Sequence, residues 1–396
     1  MMYFVIFLIL VFFALSELTG QFKNKREFSL IGYLFILSLF IIFMGFRYRI
    51  GGDTINYMNS FDQMPEFKDF SSFDFLTSEY NISWYIFVAL CKLVSIDFLF
   101  FQFTHVAILN IGIFYFINKH CYKYQFSCVL LYYLTYYLYL NTEILRESLA
   151  MVFFLFGYDY LLKKKFIKYY LLVLLSISIH TSAIILLIIP FFQVKMKFPF
   201  YASLFIAIIV FFIGVDAYTF FSKFSFSTQI AQKMNSYLNA GKSVTGLLVQ
   251  LILIFPTIYL KFLKDKIYRN TVPVKKDKFD CYIPTFILIG ALASVISGFY
   301  RFLNYFSIIN IVFIINTLVL VLSSEKIRLN SKILARFSVI MLLFYQGYYY
   351  SRKNSEYDNL GKYYNRYFPY TNYYSKEKNE IREKMMLNYN IEKYEQ

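Results

Sequence analysis

Apolar residues in this chain come in long, nearly unbroken runs separated by short polar links, without the alternation that marks a half-buried strand or the stripe that marks a soluble amphipathic helix. A helix needs about 20 residues to cross roughly 30 Å of hydrocarbon, and within lipid only helices or closed barrels satisfy the backbone. The runs are too long and too evenly apolar for barrel strands. They predict spans near 2–20, 28–46, 98–118, 125–141, 146–162, 168–192, 199–215, 246–264, 281–298, 302–322 and 332–350. The shorter run 82–96 carries Lys92 and reads as a tilted span or a re-entrant piece. The expected fold is all-α: a polytopic integral membrane helix bundle of about 11–12 transmembrane or re-entrant helices. It occupies residues 1–350, and 351–396 form a polar, tyrosine-rich C-terminal tail. That tail is expected to be solvated, with its later part a candidate surface helix of opposite charges at helical spacing.

Basic links set the orientation. Lys23, Lys25 and Arg26 put the first link in the cytoplasm and the segment after the second run outside. Lys163, Lys164, Lys165 and Lys168 lie inside, as do the links 264–278 and 325–332, and 216–245 falls outside. Between 163–168 and 264–278 the crossings must be even, yet the runs there number three. Either His180 breaks 168–192 into a hairpin, or a crossing is hidden in 216–245. The opening MMYFVIFLILVFFALSELTG has neither a charged n-region nor a small-residue cleavage site and reads as a retained first helix.

Composition agrees: 59% of residues are hydrophobic, 22% aromatic and 16% charged, and the mean hydropathy is +0.51. These values exclude a soluble globular domain. The net charge of +16 resides in short links, which fits positive-inside topology and anionic lipid headgroups and gives no reason to expect nucleic acid. Cys91, Cys121, Cys128 and Cys281 have no metal spacing and read as small hydrophobes, not a disulfide framework. Asn239-Ala240-Gly241-Lys242-Ser243 has the end of a phosphate loop, but Ser236 stands where the first glycine belongs and no strand precedes it. Lys119-His120-Cys121 has no further ligands near it. No metal and no cofactor are expected.

Charges at the edges of apolar runs carry the chemistry. A charge at membrane depth costs about 2.5–3.5 kcal/mol on insertion scales, so it persists where a cavity or a bound anion offsets it. Arg146, Asp53, His180 and Arg301 hold such positions. In the segment 45–57, GFRYRIGGDTINY, paired glycines permit positive φ and close backbone approach, while Arg47, Arg49 and Asp53 place two cations and a carboxylate in a short stretch. Local spacing alone fits a capped turn with interfacial arginines equally well. Arg49, Arg146 and Arg301 also fit snorkelling cations, and His180 fits a hydrogen-bonded packing residue as well as a general base.

The segment resembles the EpsG family of exopolysaccharide polymerase proteins, whose early loop runs G-x-R-x-x-x-G-x-D-x-x-x-Y; Gly45, Arg47, Gly51, Asp53 and Tyr57 fall on that pattern. The family continues with a glutamate opening a short apolar helix, an Arg-polar pair starting a later span, and a His followed by a small hydroxyl residue. Glu79, Arg146-Glu147 and His180-Thr181-Ser182 stand at those places. The likeness covers about 45–192, with a weaker echo at Tyr300-Arg301 and Tyr305 (300–305). Glu147 replaces the usual Gln, and Tyr80-Asn81 replace the usual Pro-Gly, so the local geometry departs from the family's while its charged groups remain.

The resemblance implies a membrane glycosyltransferase that needs no nucleotide sugar and builds exopolysaccharide, capsule or O-antigen at the outer face of the bacterial plasma membrane. It would transfer a growing glycan from one undecaprenyl diphosphate carrier to the non-reducing sugar of another lipid-linked repeat. Its partners would be that lipid-linked oligosaccharide, membrane lipids, and the chain-length regulator and flippase of the same pathway. Such a transfer needs a general base at the acceptor hydroxyl and positive charge on the departing diphosphate. Asp53, Glu79 and His180 are the candidate bases; Arg146 and Arg301, then Arg47 and Arg49, are the candidate anion contacts, with Tyr57 and Glu147 beside the substrate. Arginine suits the diphosphate because its planar fork stays charged and donates parallel hydrogen bonds. Two alternatives stand: a non-enzymatic flippase for lipid-linked sugars, and a ligase with a different acceptor. Transporters often show inverted repeats, and none is visible in this sequence.

Overall fold

The computed structural model describes residues 2–21, 26–75, 78, 80–121, 123–193, 198–213, 244–268, 279, 281–293, 299–351 and 362–385. Among these residues the chain is helical, without strands. The helices are α1 (Met2–Leu18), α2 (Arg26–Gly45), α3 (Thr54–Gln63), α4 (Ile82–Val94), α5 (Phe98–His120), α6 (Gln125–Thr135), α7 (Tyr137–Thr142), α8 (Leu145–Leu162) and α9 (Phe166–Ile179), then a 3-10 helix (Thr181–Gln193). They continue with α10 (Phe198–Ile213), α11 (Val244–Tyr268), α12 (Ile283–Ala293), α13 (Tyr300–Leu303), α14 (Ser307–Ser323) and α15 (Leu329–Ser351). Glu27–Gly45, Phe98–His120 and Tyr300–Ser323 are long and apolar enough to cross a membrane, and shorter apolar helices accompany them.

The chain forms two compact units: residues 1–160, 167–183 and 346–396 make the first, and 161–166 with 184–345 the second. In the first, α2 packs on α5, α1 on α6 and α4 on α5. Large apolar side chains point outward, as Phe12 and Leu15 do on α1 and Leu171 and Leu174 on α9, while Asn110, Asn141 and His105 are fully enclosed. That inversion of the soluble pattern is what lipid demands: apolar surface costs nothing outside, and polar groups must find partners inside. The protein is a membrane protein.

Polar side chains fix several helix ends. Asp97 caps α5 by accepting from the Leu99 N–H. From α1, Glu17 caps α6 by accepting from the N–H groups of Phe126 and Ser127, each at 3.0 Å. This carboxylate meets the positive end of α6 and two of its unpaired donors. The predicted run 125–141 is broken at Tyr136 into α6 and α7. At the break the Thr135 hydroxyl donates to the Leu131 carbonyl at 2.7 Å, the back-bond that bends helices. The interval between is closed by a neutral network: Asn110 Nδ2 donates to Asn141 Oδ1 at 2.9 Å, and the Tyr132 hydroxyl donates to Asn110 Oδ1 at 3.1 Å.

The helical path also changes at His180. There α9 ends, the His180 N–H closes the last α-type bond to Ser176, and the Ala183 N–H donates to His180 in 3-10 fashion. Residues 216–243, which hold the alternative crossing and the phosphate-loop-like 239–243, lie outside the described residues. In the second unit, α10 packs on α12, and α11 packs on α12 and α14. Asn310 of α14 accepts there from Thr257 (2.7 Å) and Tyr282 (3.0 Å).

One expectation is overturned. The C-terminal segment is not solvated throughout: Tyr367 and Arg382 are 0% and 1% exposed, while 374–378 stay exposed. Ile50, Tyr363 and Tyr367 form a buried cluster with Leu138, Tyr349, Tyr350 and Tyr370 packed against it. The tyrosines supply apolar rings as well as hydroxyls, so a segment that reads as polar buries itself through its aromatic faces.

Candidate functional site

The loop leaving α2 turns through Gly51, at φ +106°, before α3 starts at Thr54. A Cβ on Gly51 would collide with Thr142, and one on Gly52 with Glu143 Oε2 and with Arg366 Nη1 at 2.6 Å. Glycine is required at Gly51 for its backbone angle and close approach, while at Gly52 a larger residue would have to displace the ends of the Glu143 and Arg366 side chains. The turn places Asp53 at the N-cap of α3, with no capping hydrogen bond from its side chain. Its carboxylate instead bears electrostatically on Tyr57, one turn further on, and on Arg366.

Arg146 enters from the first turn of α8. Its guanidinium lies over the Tyr80 ring at 4.4 Å and bears electrostatically on the Tyr57 hydroxyl. The Tyr80 hydroxyl is itself 2.8 Å from Ser60 Oγ. Burial raises the Tyr57 phenol well above its ordinary range, with Arg146 pulling the other way, so Tyr57 stays a neutral donor at physiological pH. Arg146 Nε is buried and makes no hydrogen bond among the described residues. Arg146, Tyr57, Tyr80 and Asp53 thus form one cluster at the N-terminal mouth of α8, where the helix dipole adds to the guanidinium charge.

Glu147, the next residue, is buried. His180 closes α9, and its Nδ1 lies 2.5 Å from Ser182 Oγ, which engages the small hydroxyl the sequence places after it. The end of α9 is tied to the start of α4: Asn81 Nδ2 donates to the Ile177 carbonyl at 3.2 Å, and the Ser83 and Ser178 hydroxyls are 2.8 Å apart. His180 is therefore one helical turn beyond a contact made by the residue next to Tyr80. Glu79 lies outside the described residues. Arg301 is exposed on α13 and belongs to the second unit.

Arg47 and Arg49 lie at the start of the same loop, one buried and one ion-paired. Arg47 is 1% exposed and donates to the Met44 carbonyl at 2.7 Å. Burial lowers its pKa to about 10, opposed by Tyr370, Tyr137 and Tyr3, and it stays a cation at neutral pH. Gln102 holds the same stretch by donating to the carbonyls of Gly45 and Arg47. Arg49 makes a two-pronged ion pair with Glu383, at 2.6 and 2.5 Å. Arg49 is thus engaged by Glu383, while Arg47 Nε and Nη2, like Arg146 Nε, are buried and make no hydrogen bond among the described residues.

Sequence reasoning missed Glu143, Arg366 and Tyr367. Glu143 is 4% exposed and accepts from the Gly52 N–H at 2.5 Å and the Tyr367 hydroxyl at 2.8 Å. Arg366 Nη1 lies 3.7 Å from its other oxygen. Burial disfavours the charged form of Arg366, but Glu143 and the nearby phenols outweigh it and raise its pKa. The signal for Glu143 was its position three residues before Arg146; the two tail residues gave none.

Comparison with known proteins adds one finding: the EpsG family model matches residues 29–372. That range runs from α2 into the C-terminal segment that covers the loop, as far as Asn372. No curated protein and no solved structure matches the chain.

Proposed function

The chain belongs to the EpsG family, and on that premise we propose that it polymerises lipid-linked oligosaccharide repeats into exopolysaccharide, capsule or O-antigen. The growing glycan leaves one undecaprenyl diphosphate carrier and joins the non-reducing sugar of the next repeat at the outer face of the bacterial plasma membrane. One observation supports the reading above the rest: Arg146, at the positive end of α8, lies over Tyr80, whose hydroxyl meets Ser60 on α3, the helix that carries Tyr57 and begins just after Asp53. A guanidinium on a helix N-terminus suits a departing diphosphate, and a carboxylate beside it suits the acceptor hydroxyl. In this scheme Arg146 takes the charge developing on the diphosphate, Tyr57 donates to the same oxygens, and Asp53 accepts the acceptor's proton. His180 is the second candidate base.

The test is reconstitution in liposomes with a defined lipid-linked repeat as both donor and acceptor. A polymerase gives a ladder of lengthening glycans without nucleotide sugar. Movement of the repeat between leaflets with no ladder would instead mark a flippase, and transfer of a glycan to a different added acceptor would mark a ligase.

A further inference from the structure

The loop that presents Asp53 is held by the C-terminal segment along its length. The Tyr48 N–H donates to Thr371, the Gly51 N–H to Arg366 and the Tyr373 N–H to Phe46, each at 2.9 Å. The buried Arg382 donates to the Arg49 carbonyl at 3.2 Å and to Thr371 Oγ1 at 2.9 Å. At the Asp53 end, the Gly52 N–H, the Tyr367 hydroxyl and the Arg366 guanidinium converge on Glu143. A carboxylate this enclosed is stable as a charge only with such partners. It therefore ties three separate segments into one geometry: the loop, the tail and the turn before α8.

We propose that Glu143 and Arg366 are positioning residues for glycan transfer, fixing the Gly51-Gly52 turn so that Asp53 stands beside the Arg146–Tyr57 pair. This rests on the transfer reading of Asp53 and Arg146. A Gly-Gly turn is conformationally free by itself, and displacing a reacting group by about 1 Å costs on the order of 100-fold in rate. Arg366, in the C-terminal segment, thereby acts on the site through the loop.

The test uses full-length protein in liposomes and two readouts. Amide hydrogen exchange at Tyr48 and Gly51 reports the clasp without reference to chemistry, and steady-state turnover of the lipid-linked repeat reports positioning. Wild type and Asp53→Asn should both protect these amides. Arg366→Ala should raise their exchange about tenfold or more and lower kcat about tenfold with KM within about twofold. Arg366→Lys, which keeps the charge, should recover most of the lost turnover. In an Asp53→Asn background Arg366→Ala should cost nothing further, because both changes act on one unit. Unchanged protection and full turnover in Arg366→Ala overturn the positioning role alone, as do losses that multiply in the double variant. Full kcat in Asp53→Asn overturns the transfer reading of Asp53 and the positioning role with it.

Discussion

Two polar clusters in the first unit are built on opposite principles. The Asn110–Asn141–Tyr132 cluster is neutral, fully buried and closed on itself, each amide and hydroxyl taken up by the others or by a carbonyl of its own helix. The cluster at the mouth of α8 is ionic and half-buried, with Asp53, Tyr57 and Arg146 all partly exposed. It also leaves a buried guanidinium nitrogen without a hydrogen bond among the described residues. A neutral cluster inside helices costs little and specifies which helices meet and in what register. Charges gathered at a helix end are costly to keep and are retained for a ligand or a reaction. Polarity inside a membrane protein is thus informative only with its charge and its exposure.

Breaking each cluster in turn sharpens the contrast. Short of removing Arg146, Gly51→Ala has the largest expected effect: at φ +106° any side chain is strained and the added methyl meets Thr142, and polymer formed per inserted molecule should fall about 100-fold, measured as labelled sugar incorporated. Arg146→Lys keeps the charge but loses the planar fork, so turnover should fall about tenfold without vanishing, measured in the same assay. Asn141→Leu should lower the midpoint of thermal unfolding in detergent, by the equivalent of about 0.6–2 kcal/mol, and leave activity per folded molecule within about twofold. Tyr80→Phe should do least. It keeps the ring under Arg146 and loses the hydroxyl contact with Ser60, so turnover should stay within about twofold and stability within about 1.5 kcal/mol.

Most helices are visible in the sequence because a long apolar run identifies itself; α1, α2, α5 and α8 start and stop within a few residues of the predicted limits. The break at Tyr136 is not visible, since it depends on the Thr135 hydroxyl bonding back to Leu131, a choice that apolar patterning does not encode. Nor is α3, which is polar on much of its surface and sits in what hydropathy reads as a loop. The Arg47, Asp53 and Tyr57 motif is legible, yet the role of Arg47 is not: the same spacing serves a surface cation or one 1% exposed beneath tyrosines. The clasp was least legible of all. Tyr367 and Glu143 stand 224 positions apart, and in a chain with 39 tyrosines no single phenol attracts notice.

The account turns on the claim that the charged cluster performs the reaction while the neutral one maintains the fold. Its most direct test is glycan-ladder formation in liposomes for Arg146→Ala beside Asn141→Leu, at matched amounts of inserted protein. No ladder is expected from Arg146→Ala, and from Asn141→Leu a ladder of wild-type length and yield per folded molecule. A wild-type ladder from Arg146→Ala would contradict that claim.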